Sequence, residues 1–275
     1  MCNTMEKFEY SPETIRQLQL TELQMLKELD RICRKYNIKY IIDAGTLLGA
    51  VRHGGFIPWD DDVDVRMLRS EYEMFCEICK KELGSDYFLQ NHETDPGYRW
   101  GYARLLKNDT VFLREEHEEL KSRNGIFIDI FPSDVLPENG IGNQLCTCVS
   151  WLCRKMLYSE LGYRHAATPL RRLGFAFLNL FPKQWAHNGY KWLATLFQNT
   201  ESSKVRCYGW GSAEETAGYK REWLEDITDI EFEGILVKAP VKTHEILVHS
   251  YGENYMTPPP KEYRVPKHPA SFIKF

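Results

Sequence analysis

Residues 59–65, WDDDVDV, place four aspartates within five consecutive positions. Carboxylates packed this closely repel one another, and each resists burial unless a positive charge compensates it. The flanking residues, from Phe56 to Met67, are largely apolar, which is not typical of a solvated loop. A chain with this run must therefore fold so that some positive charge lies among the acids.

The stretch DVDVRM alternates polar and apolar residues and predicts a β-strand. Side chains alternate along a strand, so Asp60, Asp62 and Asp64 would share one face and Asp61 would point to the other. Three carboxylates on one face suit a hard divalent cation. Mg²⁺ usually takes one or two protein carboxylates and leaves its other positions for water and substrate phosphates. We predict a Mg²⁺ site at Asp62 and Asp64, with Asp60 beside them and Mn²⁺ as the alternative ion.

Two other interpretations of the acidic run remain open. The first is a solvated acidic turn, which is the usual situation of clustered charge. The second is a calcium loop of the EF-hand kind, in which Asp60, Asp62 and Asp64 fit positions one, three and five and Glu71 fits position twelve. The sixth position of such a loop needs glycine for its sharp turn, and Val65 stands there.

Composition narrows the class of protein. The chain has 275 residues, 43% of them apolar, and a formal net charge of −4, which argues against general nucleic-acid binding. Eight cysteines include a single CxxC unit, Cys76 and Cys79, so free thiols are favoured over a zinc site. Residues 1–14 are polar and lack the apolar core of a signal peptide. We therefore expect a cytoplasmic protein.

The hydrophobic pattern predicts an α/β first half and a mostly helical second half. Ser11 and Pro12 open a helix that runs to about Asn37. A short buried strand, a turn with a short helix and a Gly-Pro loop follow, and then the acidic strand. Further strands are predicted at YFLQN, GYARLL and GIFIDIF, and residues 142–200 are predicted to be helical. Residues 205–275 mix short elements.

Two further sequence motifs support a phosphate and metal site at the acidic run. Gly45 and Thr46 directly follow a predicted strand, where backbone N–H groups at the positive end of a helix can approach a phosphate. Asp129 lies in the strand GIFIDIF, and a shared metal would compensate its burial. It could also accept the proton of an attacking hydroxyl. A turn, an acidic strand and a third carboxylate in this order are similar to nucleotidyltransferase folds.

We therefore predict an α/β (α+β) fold with a nucleotidyltransferase-like mixed sheet and a helical accessory region. Residues 1–140 would form the catalytic core. Residues 141–275 would form the accessory region, with C-terminal segments that complete the active-site cleft.

Longer blocks extend this similarity. GTLLGAVRHGGFIPWDDDVDV, YARLLKNDT and GIFIDIFPSDVLP resemble the LicD family of phosphocholine transferases, and FEGILVKAP and YGENYMTPPP fit as well. Fukutin-related phospho-ribitol transferases share the GTLLGAVRHG and WDxDVD patterns, so the first block indicates a superfamily rather than one substrate.

The resemblance implies transfer of a phospho-alcohol from a cytidine diphosphate donor to a sugar hydroxyl, with magnesium. The expected donor is CDP-choline. The expected acceptor is a cell-surface glycan, such as teichoic acid or lipopolysaccharide, or its lipid-linked precursor. The resemblance gives Gly45 and Thr46 the phosphate-turn role, Asp62 and Asp64 the metal role and Asp129 the third-acid role. Basic residues within the matched blocks would bind the diphosphate, and these are Arg52, His53, Arg104 and Lys107.

Several alternatives remain. The alcohol could be ribitol or glycerol, the protein could be a non-catalytic calcium-binding module, or it could transfer nucleotides to nucleic acid or protein. Residues 146–197 are rich in aromatic residues and arginine, which favours subdomain packing, with peripheral contact at the inner membrane face as the alternative. Choline would bind aromatic faces by cation–π attraction, and the candidates are Trp100, Tyr102, Trp210 and Trp223.

Overall fold

The computed structural model describes residues 10–115 and 117–275. Cys2 and most of the polar N-terminal segment lie outside the described residues. The helices are α1 (Pro12–Tyr36), α2 (Ala44–His53), α3 (Arg69–Glu82), α4 (Gly140–Leu157), α5 (Ser159–His165), α6 (Pro169–Asn179), α7 (Lys183–Phe197), α8 (Ala213–Ala217), α9 (Glu222–Glu225) and α10 (Thr243–Tyr251). The strands are β1 (Ile41–Ile42), β2 (Asp64–Leu68), β3 (Tyr87–Gln90), β4 (Ala103–Lys107), β5 (Val111–Arg114), β6 (Phe127–Val135), β7 (Lys204–Arg206), β8 (Tyr219–Lys220), β9 (Ile227–Phe232), β10 (Ile235–Pro240) and β11 (Ala270–Lys274).

Local sequence determines both ends of α1. The Ser11 hydroxyl accepts the Thr14 N–H at 3.1 Å, and Pro12 stands at the first helical position. Asn37 ends the helix in the left-handed conformation, with φ at 54°. Between these ends the apolar stripe from Ile15 to Cys33 is buried. The predicted first helix is confirmed.

One mixed sheet forms the centre of the molecule, in the strand order β1-β2-β6-β4-β3. Strands β2 and β6 are parallel, and the other neighbours in this order are antiparallel. The end of β6 also pairs with β7, which pairs with β8. The predicted mixed α/β fold class is confirmed.

The two faces of this sheet differ in polarity. Asp64, Asp129 and Arg104 lie in register across β2, β6 and β4. Val65 and Ile130, which follow the two aspartates in the chain, are fully buried in the main core together with the apolar stripe of α1. Since successive side chains point to opposite faces, one face is apolar and covered, and the other carries the charged residues.

Helices α4 to α7 surround a second, smaller core, which contains Cys146, Cys153, Tyr190 and Leu193. The chain then returns to the main core: β9 and β10 form a hairpin whose Phe232 and Val237 are fully buried there. Strand β11 pairs with β5. In the part of the chain that the structure describes, every helix is too short or too polar to cross a bilayer.

Candidate active site

The acidic run is less regular than predicted. Strand β2 begins only at Asp64, so the alternation predicted for Asp60, Asp62 and Asp64 does not start at Asp60. Residues 60–63 form an irregular segment, in which Val63 is fully buried and its carbonyl accepts the Asp129 N–H at 2.9 Å. The loop before it, which contains Gly54, Gly55 and Pro58, is not a strand either. Asp62 and Asp64, on either side of Val63, are partly exposed.

The calcium-loop interpretation is wrong. Val65 lies in β2 instead of a sharp turn. Glu71, the residue needed at position twelve, lies in α3 and accepts the Lys39 N–H at 3.0 Å. A loop of twelve residues around one ion therefore does not form.

Asp61 connects the acidic run to the C-terminal part of the chain. Its two carboxylate oxygens accept the N–H groups of Lys267 and His268 at 2.8 and 2.9 Å, and its side chain is fully buried. These bonds place His268 Nδ1 3.4 Å from an oxygen of Asp61 and 3.5 Å from one of Asp62. The aspartate expected to point away from the others thus has a structural function and brings an imidazole to the acids.

A group of possible cation ligands results. Within residues 10–115 and 117–275, Asp61, Asp62 and His268 are the one group of three whose possible ligand atoms lie within 4.8 Å of one another. Backbone amides already occupy both oxygens of Asp61, so we regard Asp62 as the principal carboxylate of this group. Carboxylate oxygens suit Mg²⁺ and Mn²⁺, whereas an imidazole also suits other transition metals. The donor set fits a divalent cation without selecting one.

The acids lack sufficient positive charge. Burial raises the pKa of Asp62 to about 8, against the opposing effect of His268, and burial raises the pKa of Asp60 to about 7. Burial also raises the pKa of Asp64 well above its usual value, and the charges of Asp62 and Asp129 add to this effect. A cation bound among these side chains would compensate the repulsion.

Asp129 and Arg104, predicted as a third acid and a phosphate-binding residue, pair with each other. Arg104 Nε donates to Asp129 Oδ1 at 2.6 Å, while the Arg104 Nη2 to Asp129 Oδ2 distance is 3.4 Å, and both residues are buried. The guanidinium lies 3.7 Å from the ring centroid of Phe127 and 5.1 Å from that of Trp100. Arg104 therefore fixes the position of Asp129 and leaves its Oδ2 the less tightly held oxygen.

The N-terminus of α2 packs directly on the acidic run. The Thr46 hydroxyl accepts the Asp64 N–H at 2.9 Å. A Cβ atom on Gly45 would lie 2.5 Å from Asp60 Oδ2, so only glycine fits there without displacing the carboxylate. The first N–H groups of a helix have no partner within it. The start of α2 can therefore donate to an anion beside the acids.

The other predicted basic residues are placed differently. Arg52 Nη1 donates to the Tyr255 carbonyl at 2.9 Å, and its charge lowers the pKa of Asp60 against the larger effect of burial. His53 packs edge-on against Trp59, with ring centroids 6.3 Å apart. The structure does not bring Lys107 to the acids, since its ammonium lies 2.9 Å from Asp86.

An aromatic group lies beside the charged row. Phe131 is two residues along β6 from Asp129 and hence on the same face, and Tyr102, which directly precedes β4, packs against it. Their ring centroids are 4.6 Å apart, and the ring of Trp210, 43% exposed, lies 6.0 and 5.8 Å from them. Trp223 does not belong to this group, because it is buried in the main core against Tyr219.

Sequence reasoning missed two charged residues near this site. Arg114, at the end of β5, has no hydrogen-bond or ion-pair partner for its guanidinium within the described ranges. Burial lowers its pKa, and the positive charge of Arg104 lowers it further. Glu22 on α1 is 1% exposed and has an unpartnered Oε2, and burial raises its pKa well above the usual value. Neither lies in a local motif, so no nearby pattern could have identified it.

The chain matches known proteins over most of its length. Residues 37–181 match the family model described as LicD/FKTN/FKRP, nucleotidyltransferase domain. The chain is 29% identical over 265 residues to the lipopolysaccharide cholinephosphotransferase LicD of Haemophilus influenzae, covering 93% of this chain and 96% of that protein. It is 29% identical over 123 residues to the ribitol 5-phosphate transferase FKRP of Homo sapiens, covering 43% of this chain and 22% of that protein. Both names describe transfer of a phosphorylated alcohol.

Proposed function

The chain belongs to the LicD/FKTN/FKRP nucleotidyltransferase-domain family and is a phosphotransferase, and we propose on this premise that it transfers phosphocholine from CDP-choline to a hydroxyl of a cell-surface glycan or its lipid-linked precursor. One observation carries the proposal: crowded, partly buried carboxylates without sufficient counter-charge lie beside the N-terminus of a helix. Such a site suits a divalent cation and a phosphate group together.

We propose that Asp62 and Asp64 hold Mg²⁺, with Asp60 and Asp129, whose charges act on Asp62, as further ligands. The ion would supply neutralisation of the donor's diphosphate charge. Around it the chain's own residues would position the donor. The N–H groups at Gly45 and Thr46 would donate to a phosphate oxygen. Mn²⁺ is the alternative ion.

The surroundings of Arg114 support a role in charge neutralisation. Of the predicted basic residues, Arg104 already has a carboxylate partner and Lys107 pairs with Asp86. Arg114 has no such partner within the described residues, and it is close enough to Arg104 for their charges to interact. We propose that Arg114, with Arg52, stabilises the negative charge that develops on the departing nucleotide.

Asp129 would accept the proton of the acceptor. The sugar hydroxyl oxygen attacks the phosphorus that bears choline, in line with the bond to the cytidylate oxygen. That bond breaks, CMP leaves with the electron pair, and the hydroxyl proton passes to Asp129 Oδ2. Arg104, bonded to Oδ1 at 2.6 Å, keeps this carboxylate in one orientation. Positioning and charge neutralisation account for most of the catalysis in such transfers.

The aromatic group supports choline as the alcohol. Tyr102, Phe131 and Trp210 contact one another beside the row that contains Asp129 and Arg104. Aromatic faces attract a quaternary ammonium, whereas ribitol and glycerol carry no positive charge. Transfer of ribitol phosphate is the second candidate, because the chain is also similar to the ribitol 5-phosphate transferase FKRP.

The test follows CMP release from a panel of CDP-choline, CDP-ribitol and CDP-glycerol with a glycan acceptor. We expect CDP-choline to give the highest kcat/KM, only with a divalent ion present. Trp210→Ala should raise KM for CDP-choline by roughly 5- to 30-fold, in line with one cation–π contact. Trp185→Ala, which changes a side chain of α7 that is 58% exposed, is the matched control. A preference for CDP-ribitol that Trp210→Ala leaves unchanged would contradict the choline assignment and favour the second candidate.

Two further expectations form part of the proposal. All cysteines in the part of the chain that the structure describes are free thiols, which supports a reducing compartment such as the cytoplasm. We also propose residues 1–140 as the catalytic core and 141–275 as the accessory region. In support of the role given to the C-terminal segments, His268 lies against Asp62.

A further inference from the structure

Helix α6 turns its apolar stripe towards solvent. Leu170, Leu173, Phe177 and Leu180 recur at spacings of three and four residues and therefore lie along one side of the helix. They are 80, 68, 59 and 78% exposed, and no residue of α6 is buried. The opposite side packs inward, where Phe175 contacts Tyr158 with ring centroids 5.9 Å apart. In a globular protein an apolar stripe normally faces the core, so this one requires another partner.

The stripe continues onto α7 without a break. The ring of Phe177 lies 5.2 Å from that of Phe181, which lies 5.6 Å from that of Trp185. Trp192, two turns further along α7, is 48% exposed. We call the exposed side chains of Leu170, Leu173, Phe177, Leu180, Trp185 and Trp192 the outer helical face. It consists of exposed aromatic and aliphatic side chains on two consecutive helices.

The region around this face is strongly basic, although the protein is acidic. Residues 140–200 contain seven Lys and Arg and one Glu, a net charge of +6. The whole chain has a net charge of −4, so the remaining residues carry −10. Arg171, Arg172 and Lys191 are exposed on the two helices that form the outer helical face. Basic residues that border an exposed apolar stripe attract a negatively charged surface.

We infer that the outer helical face docks on an anionic lipid membrane, with its apolar side chains at the boundary between head groups and acyl chains. Basic residues combined with Trp, Phe and Leu on one helical surface are typical of helices that lie in a membrane interface. Since every described helix is too short or too polar to span the bilayer, the contact is peripheral. A second copy of the chain is a poorer partner, because a symmetric dimer would bring two regions of charge +6 together.

This contact goes beyond the proposed function and does not depend on it, since it uses none of the residues of the candidate active site. The face lies on the second core, whereas the acids lie on the central sheet. Loss of membrane binding is therefore distinguishable from loss of transfer to an acceptor in solution.

The experiment is flotation of the full chain with vesicles of phosphatidylcholine alone or mixed with phosphatidylglycerol. We expect binding to the mixed vesicles only, weakened by salt, with a blue shift of tryptophan emission. The double variants Phe177→Ser/Trp185→Ser and Arg171→Gln/Arg172→Gln should each weaken binding roughly tenfold or more. The control Leu236→Ser/Tyr263→Ser changes side chains that are 60 and 63% exposed on other elements and should bind like the wild type.

Thermal unfolding and activity on a soluble acceptor establish that each variant is folded, and both should be unchanged. Absence of binding to the mixed vesicles would overturn the inference, as would an equal loss of binding in the control. So would a dimer, detected by light scattering, that Phe177→Ser/Trp185→Ser dissociates, because a second copy would then cover the face.

Discussion

Asp62 is the residue on which the proposed ion site most depends, because it lies near His268 and is the least constrained carboxylate of its group. We predict that Asp62→Ala lowers kcat by roughly 10²- to 10³-fold or more, through loss of charge stabilisation at the reacting phosphate. The metal-free variant should unfold at a higher temperature than the wild type at pH 8, since one of several partly buried carboxylates that repel one another is removed. Kinetics of CMP release and thermal unfolding measure the two effects.

Asp86→Ala is the matched control, since Asp86 is exposed and pairs with Lys107 away from the site. Near-normal activity of Asp62→Ala, or wild-type activity in excess chelator, would contradict the role of Asp62.

Arg114 is the basic residue near the site that was not among the basic residues predicted from the sequence. We predict that Arg114→Ala lowers kcat by about 10- to 100-fold, the effect of losing a hydrogen bond to a charged group, and that Arg114→Lys recovers part of it. Lys107→Ala, which removes a cation that pairs elsewhere, should leave kcat unchanged. The reverse result, with Lys107 essential and Arg114 dispensable, would show that the site rearranges when the donor binds.

Among the elements, α2 has the strictest packing requirement. We predict that Gly45→Ala lowers kcat/KM by about tenfold or more, because the added methyl must displace the Asp60 carboxylate 2.5 Å away. Gly174→Ala is the matched control in α6, where a Cβ atom would have no neighbour within 4 Å, and it should retain activity. Steady-state kinetics with a CDP-alcohol would compare the two, and equal activities would show that Asp60 can move without loss.

Elements with local signals were predictable, and those that depend on distant partners were not. Helix α1 was predicted end to end, because Ser11, Pro12 and Asn37 act within one turn of its limits. The start of β2 was not predicted correctly, because residues 60–63 are held by contacts with β6 and the C-terminal segment and not by the regular hydrogen bonds of a strand pair. The period of the hydrophobic residues in a sequence indicates which side chains are buried, but it does not indicate at which residue the hydrogen-bonded pairing of a strand begins.

The same distinction applies to the candidate site. Asp62, Asp64 and Asp129 were identified because carboxylates in an apolar strand are unusual in any context. The position of His268 follows from two hydrogen bonds to a residue more than two hundred positions away in the chain. The residues next to His268 in the sequence therefore give no indication that it lies at the site. The pairing of Arg104 with Asp129 likewise follows from strand register.

For the whole molecule, the acids make stability depend on pH and on ions. The pKa of Asp60 is raised to about 7 and that of Asp62 to about 8, so between pH 4 and 8 the folded state binds more protons than the unfolded state. We predict that the free energy of unfolding of the metal-free protein falls as pH rises through this range, by at most about 1.4 kcal/mol per pH unit for each such carboxyl.

Added Mg²⁺ should reverse this trend, because the ion binds the deprotonated carboxylates and replaces their protons. The increase in melting temperature on adding Mg²⁺ should therefore be larger at pH 8 than at pH 5.5. Asp60→Asn/Asp62→Asn should flatten the dependence in metal-free buffer. A wild-type stability that is constant from pH 5 to 8 would show that these groups are not held in the protonated form.

The two hydrogen bonds that Asp61 accepts join positions separated by 206 and 207 residues. During synthesis, the acidic run leaves the ribosome long before the segment that completes its surroundings. A nascent chain would carry its aspartates exposed and hydrated, without His268, until the final strand docks. The proposed ion site would thus form only after the segment around His268 has been made, and ion uptake during refolding would mark the moment at which this segment reaches the acidic run.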